Sequence, residues 1–248
     1  MSEEKTFSLQ GLINSHVAKL GEEKKEYKSW RASSIGGCPR KHFYARLGIE
    51  PTSPPDERTQ RVFEVGNIFH EWIQNIATAP HEEPIAAHPE IEIYDKELDL
   101  GGRYDLLVTT QNKTILYDIK TVNSRAFWHL EKSGKTLGEH YPHYVKQLGA
   151  YMLMLKRAGT PVDEGRILMV SKDDLMMNEV TFHLTPELEK SVEDELAMLN
   201  KHWAEKTLPP CTCKDLYNGN GPKYCQYKTE GKNACCSEEL FKNHKETV

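Results

Sequence analysis

Apolar positions recur along this chain with two periods. In residues 7–27, Leu9, Leu12, Ile13, Val17 and Leu20 fall on one side of a helix, and a charged run follows. Pro39 is placed to open a second helix carrying Phe43, Tyr44 and Leu47. Val62 to Ala77 predicts a third, with Val65, Phe69, Trp72, Ile73 and Ile76 as its core face. Residues 79–89 hold three prolines and read as irregular. The period then drops to two. Glu90–Tyr94 and Leu98–Leu100 read as strand pieces, and Tyr104–Thr109 with Thr114–Lys120 as a hairpin turning on Gln111-Asn112-Lys113. A helix over His140 to Ala158 follows, then strands over Arg166–Ser171 and Glu179–Leu184, then an acidic amphipathic helix over Pro186 to Glu205. This order predicts an α/β fold with a mixed central β-sheet flanked by helices, not a doubly wound parallel sheet.

The hairpin carries the first chemistry. Centred near Asn112, it sets Asp105 across from Asp118 and Ile119, while strand alternation points Asp118 and Lys120 the same way. Adjacent carboxylates repel, and a divalent cation relieves the repulsion. A lysine beside them orients a water, which completes the minimum apparatus for metal-assisted phosphodiester hydrolysis. Solvated Asp and Lys at a strand end are the plainer reading of the same residues. Two helices add candidates. His70 lies one turn after Gly66, on the flank away from Phe69 and Ile73, and a neutral imidazole is a good divalent-metal ligand. Gln147 and Tyr151, four residues apart, share a helix face able to hydrogen-bond a phosphate or a strand end.

Composition narrows the class. With 248 residues, the chain suits one large domain or one with a small appendage. No apolar run approaches the roughly 20 residues of a membrane span, so no membrane role is expected. The N-terminus lacks the apolar core of a secretory signal, so a cytoplasmic location is expected. Net charge is −5, yet residues 28–46 hold Lys28, Arg31, Arg40, Lys41 and Arg46 with no acid, which offers local basic surface to phosphates. Arg31, Arg40, Lys41, Arg125 and Trp128 are the candidate DNA contacts. Trp30, Phe127 and Trp128 flank basic residues where unpaired bases could stack, although such aromatics are more often packing. Five of six cysteines fall within residues 211–236, a density that points to a metal in a reducing compartment.

Gly66-x-x-x-His70, Gly102-x-x-Asp105, Asp118-x-Lys120 and Gln147-x-x-x-Tyr151 together resemble, in order and approximate spacing, the RecB-like branch of the PD-(D/E)XK nucleases. One cysteine before the first motif and a cluster after the last resemble that branch's iron–sulfur members: the AddB nuclease domain and the CRISPR-associated adaptation nucleases. A short free-standing chain of this kind is also similar to phage-encoded exonucleases. The resemblance spans roughly residues 31–236. It implies a restriction-endonuclease-like core over 31–207, an N-terminal helical segment over 1–30, and a cysteine-rich segment over 208–248 packing back on Cys38. It implies that His70, Asp105, Asp118 and the Ile119 main-chain carbonyl hold Mg2+ or Mn2+, that Lys120 orients water, and that Gln147 and Tyr151 steady substrate or strand.

For a [4Fe–4S] cluster, Cys38, Cys213, Cys225 and Cys235 are the preferred ligands, with Cys211 and Cys236 as alternates. Structural Zn2+ is the alternative cofactor. Tying Cys38 to the tail closes a loop worth about 4–5 kcal/mol by cross-link entropy, so the metal acts as a staple. One departure is the tail, where an insertion parts Cys213 from Cys225 and the compact C-x-x-C run is missing. The implied activity is a metal-dependent DNA exonuclease on single strands or duplex ends, in the cytoplasm of a bacterial or phage-infected cell, with recombination or replication partners. The competing readings are a DNA-end-binding subunit of a recombination or CRISPR-adaptation complex, and a zinc-stabilised nucleic-acid-binding protein without catalysis.

Overall fold

The computed structural model describes residues 8–22, 27–82, 84–216, 219–228 and 236–247. Cys235, one of the preferred cluster ligands, lies outside the described residues, as do parts of the expected first helix. Six strands form one mixed sheet: β1 (Trp30–Arg31), β2 (Ala86–Asp95), β3 (Leu100–Thr109), β4 (Thr114–Val122), β5 (Glu164–Ser171) and β6 (Met177–Phe182). The spatial order is β1-β3-β4-β5-β6, with β2 also paired to β3. β2, β3 and β4 form an antiparallel meander, β5 runs parallel to β4, and β6 returns antiparallel to β5. The expected mixed sheet flanked by helices is the observed architecture. The helices are α1 (Leu9–Glu22), α2 (Pro39–Arg46), α3 (Glu57–Thr78), α4 (Ser124–Ser133), α5 (Leu137–His140), α6 (Pro142–Arg157), α7 (Pro186–Glu205) and α8 (Glu238–Thr247).

The core sits between the sheet, α6 and α7. Every residue from Leu148 to Leu155 of α6 is buried, against Ile167 and Met169 of β5 and Val192, Leu196 and Leu199 of α7. α7 occupies the expected span, because Thr185 caps it and Pro186 opens it. α3 starts earlier than the pattern predicts, since Asp56 accepts a hydrogen bond from the Thr59 amide at 2.8 Å. Its expected core face is corrected. Val65, Trp72 and Ile76 are 40%, 43% and 49% exposed, and the helix instead turns Gly66, His70 and the buried Gln74 to the sheet. β2 also begins within the stretch read as irregular, and it takes in Pro89. No helix among the described residues is long and apolar enough to cross a membrane.

β1 and α2 pack against α7 beside this core. Trp30 of β1 is fully buried, and its indole donates to Asn200 of α7. The Arg46 guanidinium lies between the Trp30 and Trp203 rings, 4.3 Å from each, and pairs with Asp99 at 2.6 Å. Trp30 and Phe127 are therefore packing residues, closed to DNA bases, while Trp128 is 40% exposed.

Candidate active site

The site is built where β3, β4 and α3 converge. The β3–β4 register pairs Leu106 with Tyr117, and its continuation sets Asp105 opposite Asp118. The Ile119 amide donates to Asp105 Oδ2 at 2.7 Å, which locks that carboxylate against the next strand. Lys120 Nζ lies 2.9 Å from Asp118 Oδ1 and 2.8 Å from Oδ2. Gln147 of α6 grips the same pair: its Nε2 donates to Asp118 Oδ1 at 2.9 Å, and its Oε1 accepts from Lys120 at 3.3 Å. Tyr151, one turn on, donates to the Arg103 carbonyl of β3 at 2.9 Å. Its ring closes over Gly102, where an added Cβ would stand 2.8 Å from the Tyr151 ring and hydroxyl.

His70 approaches from α3, with Nδ1 3.8 Å from Asp105 Oδ1 and its ring within hydrogen-bonding reach of the Ile119 carbonyl. The helix comes this close because Gly66 has no side chain; a Cβ there would press Thr121 Oγ1 at 3.2 Å. The structure thus brings together His70, Asp105, Asp118, Ile119, Lys120, Gln147 and Tyr151. It adds Glu90 of β2, whose carboxylate falls within 4.8 Å of His70 and Asp105 ligand atoms. It also adds Gln74, whose Nε2 donates to Glu90 Oε1 and to the Asp105 carbonyl, each at 2.9 Å. Gln74 continues the Gly66–His70 stripe at four-residue spacing, which was a readable signal. Glu90 carried none of its own.

Electrostatics match this crowding. Burial, first of all, pushes the Asp118 carboxyl up to about 6 and the Asp105 carboxyl upward, against the opposing pull of Lys120. Burial and then the Lys120 charge hold the His70 imidazole low, so it is neutral and able to ligate. Asp118 Oδ2 is buried and receives no aligned hydrogen bond among the described residues, although Lys120 is near. The carboxylates and the backbone carbonyl are hard oxygen donors of the kind Mg2+ and Mn2+ prefer, and a neutral imidazole adds a borderline nitrogen donor that transition-metal cations such as Mn2+ accept. The residues therefore fit a divalent cation.

Beside this site opens a cavity of about 1160 Å3 whose lining includes Tyr144, Gln147, Arg31, Lys41, His143 and Cys38. Tyr144 stacks under Lys120 Nζ at 5.1 Å. Of the other sequence-predicted contacts, Arg125 and Trp128 are exposed on α4, and Trp128 donates to Asp174. Arg40 turns away from the cavity and binds the tail, at the Pro209 carbonyl, the Cys236 carbonyl and Glu238.

Four cysteine sulfurs, of Cys38, Cys211, Cys213 and Cys236, lie within 4.8 Å of one another. Cys225 Sγ is 3.5 Å from Cys236 Sγ, and Cys38 and Cys213 are each 3.7 Å from it. The structure thus brings in both alternates, Cys211 and Cys236, with the preferred Cys38, Cys213 and Cys225. Hydrogen bonds, first of all from Cys213, hold the Cys211 and Cys225 thiols well below their usual range, while Cys211 pushes Cys213 and Cys236 up. Sulfurs gathered this closely could serve together as ligands of a metal, each as its thiolate.

Residues 76–229 match the family model of the PD-(D/E)XK nuclease superfamily. No curated protein matches the chain significantly. Among solved structures, the crystal structure of SSO0001 aligns with a TM-score of 0.51 and 17% identity, covering 88% of this chain and 92% of that one. LHK-Exo in complex with dAMP aligns with a TM-score of 0.50 and 17% identity, covering 73% and 90%. A second structure of this alkaline exonuclease, from Laribacter hongkongensis, gives 0.47 and 15% over the same shares. At these identities the likeness is one of fold.

Proposed function

Because the chain belongs to the PD-(D/E)XK nuclease superfamily, we propose that it is a divalent-metal-dependent deoxyribonuclease, an exonuclease acting on single-stranded DNA or duplex ends. The observation that carries this reading is the packing of His70, Asp105, Asp118 and Lys120 around the Ile119 peptide. His70, Asp105, Asp118 and the Ile119 carbonyl would hold Mg2+ or Mn2+, which supplies Lewis acidity toward a phosphodiester. The chain's own residues do the rest. Lys120, fixed by Asp118 and Gln147, presents its ammonium where a water and a phosphoryl oxygen are to be oriented. Gln147 keeps Asp118 from turning, and Tyr151 anchors the strand bearing Asp105. The cavity beside Gln147, with Arg31 and Lys41, is the proposed path of the DNA strand. A deoxyribonucleotide substrate is supported by LHK-Exo, an exonuclease of similar fold solved with dAMP.

For the cysteines we propose a structural metal held by thiolates. An iron–sulfur cluster follows from the family resemblance. Structural zinc is the alternative, since it accepts the same thiolates in a tetrahedral set. About four irons and a brown colour, or about one zinc and none, decide between them. For the activity, end-labelled single-stranded and duplex DNA is incubated with Mg2+, Mn2+ or EDTA. Metal-dependent release of mononucleotides or short products is expected. Intact DNA under all conditions would overturn the enzymatic reading.

A further inference from the structure

Glu90 is the one acid of the site that no motif predicts, and the sheet places it with intent. β2 pairs Pro89 with Leu106 and Ile91 with Tyr104, so Glu90 stands opposite Asp105. Continuing the β3–β4 register past Leu106 and Tyr117 sets Asp105 opposite Asp118. Three carboxylates therefore occupy matching positions on three adjacent strands, and those of Glu90 and Asp105 come within 4.8 Å of one another. The backbone is bent to achieve this. Glu90 has φ of 55°, a left-handed conformation rare for a non-glycine residue, and it drops out of the β2–β3 ladder together with Asp105. The Asp105 carbonyl is taken instead by Gln74 Nε2, which also holds Glu90 Oε1. A buried amide on the His70 helix thus ties Glu90 to the strand of Asp105, with ligand atoms of His70, Glu90 and Asp105 all within 4.8 Å. The other Glu90 oxygen pairs with Arg103 at 2.5 Å, and the Arg103 side chain is 60% exposed.

We propose that Glu90 is a further carboxylate ligand of the divalent cation, positioned by Gln74 and held on Arg103 until the cation displaces it. This rests on the metal-dependent nuclease reading above. The exposed guanidinium can swing into solvent, whereas Glu90 is fixed through Gln74, so the ion pair opens on the Arg103 side. Arg103 then acts as a competitor of the cation, not as a structural partner of Glu90.

The test is calorimetric titration of Mn2+ into the purified protein, with its cysteine metal in place and without DNA, for the wild type, Glu90→Gln, Arg103→Ala and Asp118→Asn. Melting temperatures confirm that each variant is folded. Glu90→Gln should weaken Mn2+ binding by about 10- to 100-fold, the range for groups that orient or complete a metal shell. Arg103→Ala should tighten it by at least about five-fold, the low end of coupling between linked sites. Both results together support the assignment. An unchanged isotherm for Glu90→Gln, or unchanged or weaker binding for Arg103→Ala, overturns it. Asp118→Asn separates the two readings. If it abolishes binding while Glu90→Gln does not weaken it, only the Glu90 assignment fails. If Asp118→Asn also titrates like the wild type, the divalent-metal reading of the whole site fails.

Discussion

Lys120 is held by two acceptors, Asp118 and Gln147, at 2.9 and 3.3 Å. An ammonium fixed this way costs little to orient during reaction. Lys120→Ala should therefore lower kcat about a hundred- to a thousand-fold while Mn2+ binding stays at least as tight as in the wild type. Single-turnover cleavage alongside a metal titration checks this, and a near-normal kcat would remove Lys120 from the chemistry. A second residue governs stability. His42 is buried between Trp30 and the β1 backbone, and its Nε2 accepts from the Arg31 amide at 2.8 Å. Burial, with Arg31 and Arg46 adding to it, holds its imidazole down to about 3. Its folded pKa lies below the unfolded value, so its stabilisation is complete above about 6.5 and is lost as pH falls toward 3. At pH 4.5 this amounts to about 2–3 kcal/mol. Urea unfolding at pH 7 and 4.5 should show a shallower pH dependence for His42→Gln, which keeps an acceptor but does not titrate; equal slopes would locate the acid sensitivity elsewhere.

At the scale of elements, the β3–β4 hairpin was readable because its pairing is local and its alternation is strict. That sufficed to put Asp105, Asp118, Ile119 and Lys120 together. Glu90 was not readable, because its place opposite Asp105 depends on the β2–β3 pairing and a left-handed residue, neither of which leaves a local pattern. Helix α3 shows the other limit. Periodicity reveals that an apolar stripe exists, not what covers it, and the stripe of Val65, Trp72 and Ile76 faces outward while Gly66, His70 and Gln74 face the sheet. Gly102 joins two elements. A methyl there would meet the Tyr151 ring at 2.8 Å and Ala32 Cβ at 3.1 Å. Gly102→Ala should destabilise by about 1–3 kcal/mol. Most of that cost should vanish in the Tyr151→Ala background, where the clashing ring is gone. A double-mutant cycle reads this, and additive losses would mean that the close approach is relieved some other way.

For the whole molecule, the sulfur contacts join Cys38 to Cys211, Cys213, Cys225 and Cys236. That the cysteines would gather was legible from their density. That Cys236 joins them was not, since no local pattern marks its left-handed backbone, with φ of 53°, or its burial among the other sulfurs. Cys38→Ser should remove one thiolate from the set and the bound metal with it. By the cross-link estimate of about 4–5 kcal/mol, the melting temperature should fall by roughly 10–15 °C. Metal analysis and calorimetry of the variant test the point; unchanged metal content and melting would show that the ends are held by Arg40, Arg46 and the tryptophans alone.

The Cys38–Cys236 contact spans 198 residues of sequence, and this separation sets an order of events in time. A ribosome emits Cys38 and the whole carboxylate row long before Cys236 exists. Contacts of such length form late, because the chain must first give up the freedom of the intervening loop. The Cys38 and Cys236 sulfurs therefore gather only after the sheet's strands have been made. A chain broken off after β6 would carry every candidate active-site residue and lack the tail sulfurs that lie against Cys38 at the N-terminus of α2. Such a truncated chain would keep the β3–β4 hairpin and lose the sulfurs that Cys38 meets in the full chain.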